Sequence, residues 1–135
     1  MANTILITDA GLAEVVNAEQ SGTAPVVITE VGYGTGQYTP TNDQTALKEE
    51  FKRLTTIAGG AVGDNVIHLA ARDDSTEAYT VYEVGLYTAS GTLFAVGSQT
   101  VPIIQKASQS QALLAIDLSV TDFSADSIAF GDTNF

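Results

Sequence analysis

The spacing of apolar positions near the start of the chain predicts one amphipathic helix. Leu12, Val15 and Val16 recur at three- and four-residue spacing, which places them on one helical face. The helix is predicted over roughly Asp9–Glu19, and Gly11 within it lowers its intrinsic stability by about 1 kcal/mol relative to alanine. We therefore expect the helix to depend on packing against a sheet. Two neighbouring residues are suited to cap its first turn: Thr8 and Asp9.

The rest of the chain is patterned as strands separated by turn residues. A meander is the economical topology for such a series, with the two strands on either side of the polar tip at residues 73–77 forming a hairpin. Residues 32–36 are glycine-rich and predict a flexible connection, and a short helical turn is expected near Ala46 and Leu47. Gly59, Gly60 and Gly63 are expected to end the strand that precedes them. The predicted strands are Val26–Val31, Glu49–Ile57, Val66–Arg72, Ala78–Val84, the two arms of a hairpin over Glu83–Ser98, and Ala112–Val120.

The Glu83–Ser98 hairpin has the strongest local signals. Ser90 and Gly91 form a natural tight turn, because glycine reaches positive φ without steric cost. The following segment alternates its side chains as a half-covered strand does. Glu83 at its start leaves two interpretations open: an exposed carboxylate, or a buried acceptor for backbone amides that Gly85 allows to approach.

These patterns predict one α+β domain, in which a predominantly antiparallel β-sheet meander carries the N-terminal helix on its surface. The domain is predicted over residues 1–120, and residues 121–135 are polar with scattered aromatic side chains, as in a connector that leaves the domain. Glu30–Tyr33 echoes the sequence of Glu83–Tyr87, which two strands with similar ends would explain.

Charge and composition exclude several classes of protein. The formal net charge is -11, with only five Lys plus Arg, so nucleic acid and anionic membrane surfaces are rejected as partners. No apolar run reaches the roughly 20 residues that a spanning helix needs, and the N-terminus lacks the pattern of a secretion signal. The absence of cysteine removes disulfides, thiolate nucleophiles and the usual structural zinc sites.

The candidate residues for catalysis or ligand binding are isolated from one another in the sequence. The glycine-rich stretch 32–36 lacks the lysine of a phosphate-binding loop, and His68 has no orienting neighbour in sequence. Asp73, Asp74 and Glu77 offer oxygen ligands for calcium but lack EF-hand spacing. No pair of carboxylates stands out as the acid pair of a hydrolase. We therefore predict no enzyme activity, no cofactor and no metal site.

Four segments in one order carry a resemblance to a known family. The four segments are Thr8–Leu12, Val31–Gly34, Pro40–Leu47 and Glu83–Ala95. Together they resemble the N-terminal domain of phage tail-collar fibre proteins. The likeness spans roughly Ile5–Thr121, and the terminal Ile128–Asp132 is similar to the connector that follows that domain.

The resemblance implies a structural role in the virion tail, after synthesis in the cytoplasm of the bacterial host. In the family this domain attaches a long, usually trimeric fibre to a tail or baseplate protein, while a distal part recognises the host. It implies no catalytic residues. We expect Tyr33, Tyr38 and Tyr87 to contribute to a docking face, with core packing as the alternative for each. A surface glycan-binding module remains the alternative function.

Overall fold

The computed structural model describes residues 5–21, 26–55, 57–61, 66–109, 111–119 and 128–130. These residues form one helix and eleven strands, most of them paired antiparallel, with the helix packed on the sheet. The α+β fold class is thus confirmed. The elements are β1 (Ile5–Ile7), α1 (Asp9–Ser21), β2 (Val26–Gly34), β3 (Glu50–Leu54), β4 (Ile57–Ala61), β5 (Val66–Asp73), β6 (Tyr79–Val81), β7 (Glu83–Thr88), β8 (Leu93–Ser98), β9 (Ile104–Lys106), β10 (Ala112–Ser119) and β11 (Ile128–Phe130).

The main sheet has the strand order β1-β8-β7-β2-β11, with β3 also paired to β2. Its pairs are antiparallel except for β2 and β11, which run parallel. A second sheet has the order β10-β5-β4, and β6 pairs with β9. Neighbouring strands pair in β2–β3, β4–β5 and β7–β8, as in a meander, whereas β1–β8, β2–β7 and β5–β10 join strands distant in sequence.

Thr8 is the residue that caps α1. The Gly11 backbone N–H donates to Thr8 Oγ1 at 2.9 Å, and the same hydroxyl donates to the Leu93 carbonyl at 2.5 Å. Thr8 is fully buried, so the cap also attaches the helix to β8. The backbone N–H of Asp9 instead donates to the Asn42 carbonyl at 2.7 Å. The predicted docking of the helix on the sheet is confirmed, since the side chain of Val15 in α1 is fully buried.

The predicted hairpin forms, with Gly91 at φ +92° in its turn. Its second strand, however, is not half-covered, because residues 93–97 are all buried. Phe94 lies in the main core, whereas Leu93 and Val96 belong to a smaller cluster with Leu47 and Tyr87. Packing on both faces, together with a register shift between Leu86 and Tyr87, overrides the simple alternation.

The glycine-rich stretch is not a flexible connection at its start. β2 continues to Gly34, with β7 paired on one edge and β3 on the other. The echoing segments are antiparallel neighbours in which Gly32 lies opposite Gly85. Paired glycines therefore leave a notch in the sheet, and the prediction of two similar strand ends holds.

Several pairings after residue 45 differ from those predicted. β5 pairs with β4 and β10 rather than with β6, so the hairpin around residues 73–77 does not form. Gly59 and Gly60 lie inside β4, and Ala46 and Leu47 form no helical turn. Local turn signals are shared by hairpins and longer connections, and long-range packing decides between them.

Part of the predicted connector belongs to the main sheet. The backbone of Ile128–Phe130 pairs with Val26–Ile28 of β2. Residues 120–127 and 131–135 lie outside the described residues, and the predicted domain boundary at residue 120 stays a prediction.

Candidate attachment site around the buried Glu83

Glu83 is a fully buried carboxylate at the first position of β7. Its Oε1 accepts from the Tyr38 hydroxyl at 2.5 Å and the Lys48 backbone N–H at 3.1 Å. Its Oε2 accepts from the backbone N–H groups of Gly36 at 3.1 Å and Glu49 at 2.6 Å. Both ends of the segment 35–49 are thus tied to one side chain. The buried-acceptor interpretation of Glu83 is confirmed.

Additional polar contacts extend from this carboxylate through Tyr38. The Gln44 side-chain amide donates to the Tyr38 hydroxyl at 2.6 Å and to the Ala46 carbonyl at 2.9 Å. The Lys48 ammonium lies 4.5 Å from the centre of the Tyr38 ring, within the range of a cation–π interaction. The segment 35–49, called here the clamped loop, is therefore ordered by contacts within the chain.

The clamped loop inserts Leu47 into the notch left by Gly32 and Gly85. A methyl group at Gly85 would lie 2.9 Å from Leu47 Cδ2, and one at Gly32 would lie 3.2 Å from Leu47 Cδ1. A side chain at either glycine would therefore crowd Leu47 and the other side chains that approach the sheet closely here. For Gly85 this corrects the expectation that another backbone would approach there. The notch gives the loop an apolar anchor beside its polar one.

Tyr87 holds the loop on the far side of Leu47. Its hydroxyl donates to Glu50 Oε1 at 2.8 Å and accepts from the Leu47 backbone N–H at 3.4 Å. The Arg53 guanidinium stacks 3.5 Å from the centre of the ring and forms ion pairs with Glu30 and Glu50. The ring is therefore covered on this side by the chain's own cation.

The three tyrosines expected at a docking face occupy different environments. Tyr33 is 0% exposed and Tyr87 is 3% exposed, so both pack in the core of the single chain. Tyr38 is half-buried. Tyr38 is the most exposed of the three, and its docking role stays a prediction.

Tyr38 also lines a groove of about 490 Å³. The groove lies between the start of the clamped loop and the end of β8. The Ser98 hydroxyl joins the two walls, because it accepts from the Tyr38 backbone N–H at 3.1 Å and donates to the Gly36 carbonyl at 2.8 Å. The lining residues are Leu6, Tyr38, Thr39, Pro40, Ser98, Gln99 and Thr100.

The carboxylates of the acidic tip at residues 73–77, considered above as calcium ligands, form hydrogen bonds and ion pairs with other groups of this chain. Asp73 accepts from the Tyr79 hydroxyl at 2.5 Å and the Ser75 backbone N–H at 3.0 Å, and Lys52 forms ion pairs with Asp73 and Glu77. Burial by itself would raise the pKa of Asp73, but these hydrogen bonds and the Lys52 charge outweigh it and lower the pKa. Within the described ranges, no three His, Cys, Asp or Glu residues are grouped as metal ligands.

The buried lysine of β9 completes this tip. Lys106 is 4% exposed, and its ammonium donates to the carbonyls of Ser75 and Glu77, the latter at 2.7 Å. Lys106 therefore stabilises the backbone of the tip, although β5 and β6 do not pair.

His68, the single histidine of the sequence, lies half-buried in β5, opposite Asp117 of β10.

Tyrosine ionisation is expected to destabilise the fold at high pH. Burial, and then hydrogen bonds to Glu83, Asp73 and Glu50 respectively, raise the pKa values of Tyr38, Tyr79 and Tyr87. The unfolded chain loses these protons near pH 10. The stability that these three tyrosines contribute is therefore fully present below about pH 10 and is lost as the pH rises above it. Urea unfolding at about pH 8 and about pH 11, with absorbance titration of native and unfolded protein, measures this. Coincident titration curves would contradict the expectation.

The model of the family described as "Phage tail-collar fibre protein, N-terminal" matches residues 1–128. This match covers nearly the whole of the 135-residue chain, and the chain belongs to that family. It is thus a structural component of a phage tail fibre, located in the virion tail. No curated protein and no solved structure matches it. No helix in the described part of the chain is long and apolar enough to cross a membrane.

Proposed function

We propose that this chain is the module that attaches a tail fibre to the phage tail or baseplate. In this proposal residues 1–120 form the attachment domain, the segment 121–135 adds the strand Ile128–Phe130 to its main sheet and leads on to a distal part that recognises the host, and the complete fibre is a homotrimer. The family match carries the proposal. The fold supports it, because the Glu83 carboxylate holds a surface loop in one conformation and a preordered surface loses less entropy on binding.

We further propose that Tyr38 is the tyrosine that contacts the partner. Tyr38 is half-buried and lines the groove. Tyr33 packs in the main core, and Tyr87 packs against Leu47 of the clamped loop, so both support this surface from within. Tyrosine suits such a position because its ring packs while its hydroxyl stays hydrogen-bonded, here to Glu83.

The recombinant chain is expected to bind tail particles that lack the fibre, saturably, and not to bind complete particles. Occupied sockets on complete particles leave no place for the isolated module. Binding measured by co-sedimentation of labelled protein with purified particles tests this. Equal binding to both kinds of particle, or binding to neither, would contradict attachment.

A surface glycan-binding module is the second candidate function. Phe51 is 44% exposed, and its ring centre lies 5.4 Å from that of Tyr79, so an aromatic surface is available for stacking on a sugar. Retention of the chain on host polysaccharide, lost in Phe51→Ala and accompanied by no affinity for tail particles, would favour this candidate over attachment.

A further inference from the structure

The edge of β2 that faces away from β7 is shared by two strands. β11 pairs with Val26–Ile28, and β3 pairs with Val31–Gly34. Ile28 pairs with Thr88 of β7 as well as with Phe130 of β11, so β11 lies on the opposite side of β2 from β7, in line with β3. β11 therefore fills the stretch of this edge that β3 leaves open.

The hydrogen bonding of β2 identifies Ala129 as the residue by which β11 is held. The Val27 carbonyl accepts from the Ala89 backbone N–H at 2.9 Å, on the side of β7. Because backbone groups alternate between the two edges of a strand, Val26 and Ile28 direct theirs towards β11. The register then directs the Ala129 N–H to the Val26 carbonyl and the Ile28 N–H to the Ala129 carbonyl. Both backbone groups of Ala129 thus face the main sheet.

β11 also lies close to the second sheet. Its Cα atoms come within 8 Å of those of β4, and β4 is an edge strand in the order β10-β5-β4. A strand that pairs with one sheet and lies beside another is restrained from two directions. The position of β11 is therefore defined by both sheets, as expected of a part of the domain rather than of a tether.

β3 limits how far pairing between β11 and β2 can extend. Leu54 of β3 pairs with Val31, three positions beyond Ile28, which is the partner of Phe130. Because β11 runs parallel to β2, a longer strand would meet the end of β3 almost at once. Phe130, after which the chain continues, is therefore held at a defined place beside the end of β3.

We propose that β11 is the anchor strand that joins the attachment domain to the distal part of the fibre in a fixed direction. The edge of β2 between β3 and the start of the strand is the acceptor, and its occupant is this chain's own Ile128–Phe130. The inference rests on the proposed attachment function and adds the joint between the attached domain and the rest of the fibre. A flexible connection would let the distal part swing, whereas a paired strand removes that freedom.

The distance between the domain and a residue after β11 tests the anchor. The sequence contains no cysteine, so Thr76→Cys at the exposed tip and Asp132→Cys can be spin-labelled specifically in the full chain. Double electron–electron resonance on the isolated chain should give one narrow distance distribution. A free tether from Ser119 to residue 132 would spread the second label over about 20 Å, and a distribution of that breadth would overturn the inference.

Proline at position 129 tests whether the pairing of β11 fixes this distance. Ala129→Pro lacks the N–H that faces Val26, and we expect it to broaden the distribution at least about two-fold. Ala129→Ser keeps the N–H at a similar side-chain size and should leave the distribution narrow. Circular dichroism verifies that both variants are folded. A folded Ala129→Pro chain with an unchanged narrow distribution would overturn the inference.

The same labelled chain separates this inference from the attachment function. A narrow distribution together with no binding to tail particles that lack the fibre would overturn attachment but not the fixed position of β11. A broad distribution in a chain that binds these particles would overturn the anchor strand and leave attachment standing. If Ala129→Pro fails to fold, the distribution of the otherwise unaltered chain still decides between anchor and tether.

Discussion

Replacement of Glu83 with glutamine is expected to lower the free energy of unfolding by about 3 kcal/mol or more, although the two side chains are nearly equal in size. Each carboxylate oxygen accepts two hydrogen bonds, and the amide nitrogen of glutamine accepts none. The two donors that face this nitrogen would then have no acceptor in a fully buried site, and the amide NH2 group would itself be a donor pointing at them. Hydrogen bonds to charged groups contribute about 1.5–3 kcal/mol each. Urea denaturation at neutral pH measures the loss.

Glu49→Gln is the matched control for this change. It removes the same charge from an exposed side chain and leaves the Glu49 backbone N–H free to donate to Glu83. Its effect should remain within about 0.5 kcal/mol. Similar losses in the two variants would show that net charge, rather than the acceptor geometry of Glu83, stabilises the clamped loop.

Gly11→Ala is expected to lower the free energy of unfolding by about 2 kcal/mol, opposite in sign to helix propensity. Alanine alone would favour the helix by about 1 kcal/mol. A methyl group at this position would, however, lie 2.6 Å from the Phe94 carbonyl oxygen and 2.8 Å from Phe94 Cα. These are backbone atoms of a central strand, so α1 must move away from β8 and loosen the cap at Thr8. Thermal or urea unfolding with helix content measured in parallel tests this.

The reverse change at an exposed helix position provides the comparison. Ala13→Gly lies on the solvent side of α1 and should cost about 1 kcal/mol from propensity alone. If Gly11→Ala stabilised the protein while Ala13→Gly destabilised it, propensity would govern both positions, and the close approach of helix and strand would not limit stability.

The clamped loop brings together residues from all four segments that carry the family resemblance, since its Asn42 carbonyl also accepts from the Asp9 backbone N–H of Thr8–Leu12. Gly34 ends β2 beside Glu83, Leu47 fills the glycine notch, and Tyr87 hydrogen-bonds to the loop. The donors that tie the loop to Glu83 are mostly backbone amides, at Gly36, Lys48 and Glu49. Any residue other than proline supplies such a group, so the sequence carries no signal for them. The hydrogen bonds of Gln44 could not be predicted either, because a single polar residue in a loop has many alternative partners.

Local patterns in the sequence determined the elements whose signals are themselves local. The three- and four-residue spacing of Leu12, Val15 and Val16 placed the helix, and Ser90–Gly91 placed the hairpin turn, because each depends on a few adjacent residues. The overall charge of -11 likewise led to the prediction, before any fold was known, that nucleic acid is not a partner. The resemblance identified the family that the match over residues 1–128 confirms.

Only the tertiary structure decided which strands meet and which side chains are buried. β5 pairs with β4 and β10 instead of β6, since apolar strands of similar composition are distinguished by packing over long sequence separations. Glu83 was ambiguous for the same reason: a carboxylate at a strand end is stable either in water or among several donors. Its fully buried state depends on amides contributed by residues 36–49, which approach only when β2 and β7 pair and place Gly32 opposite Gly85.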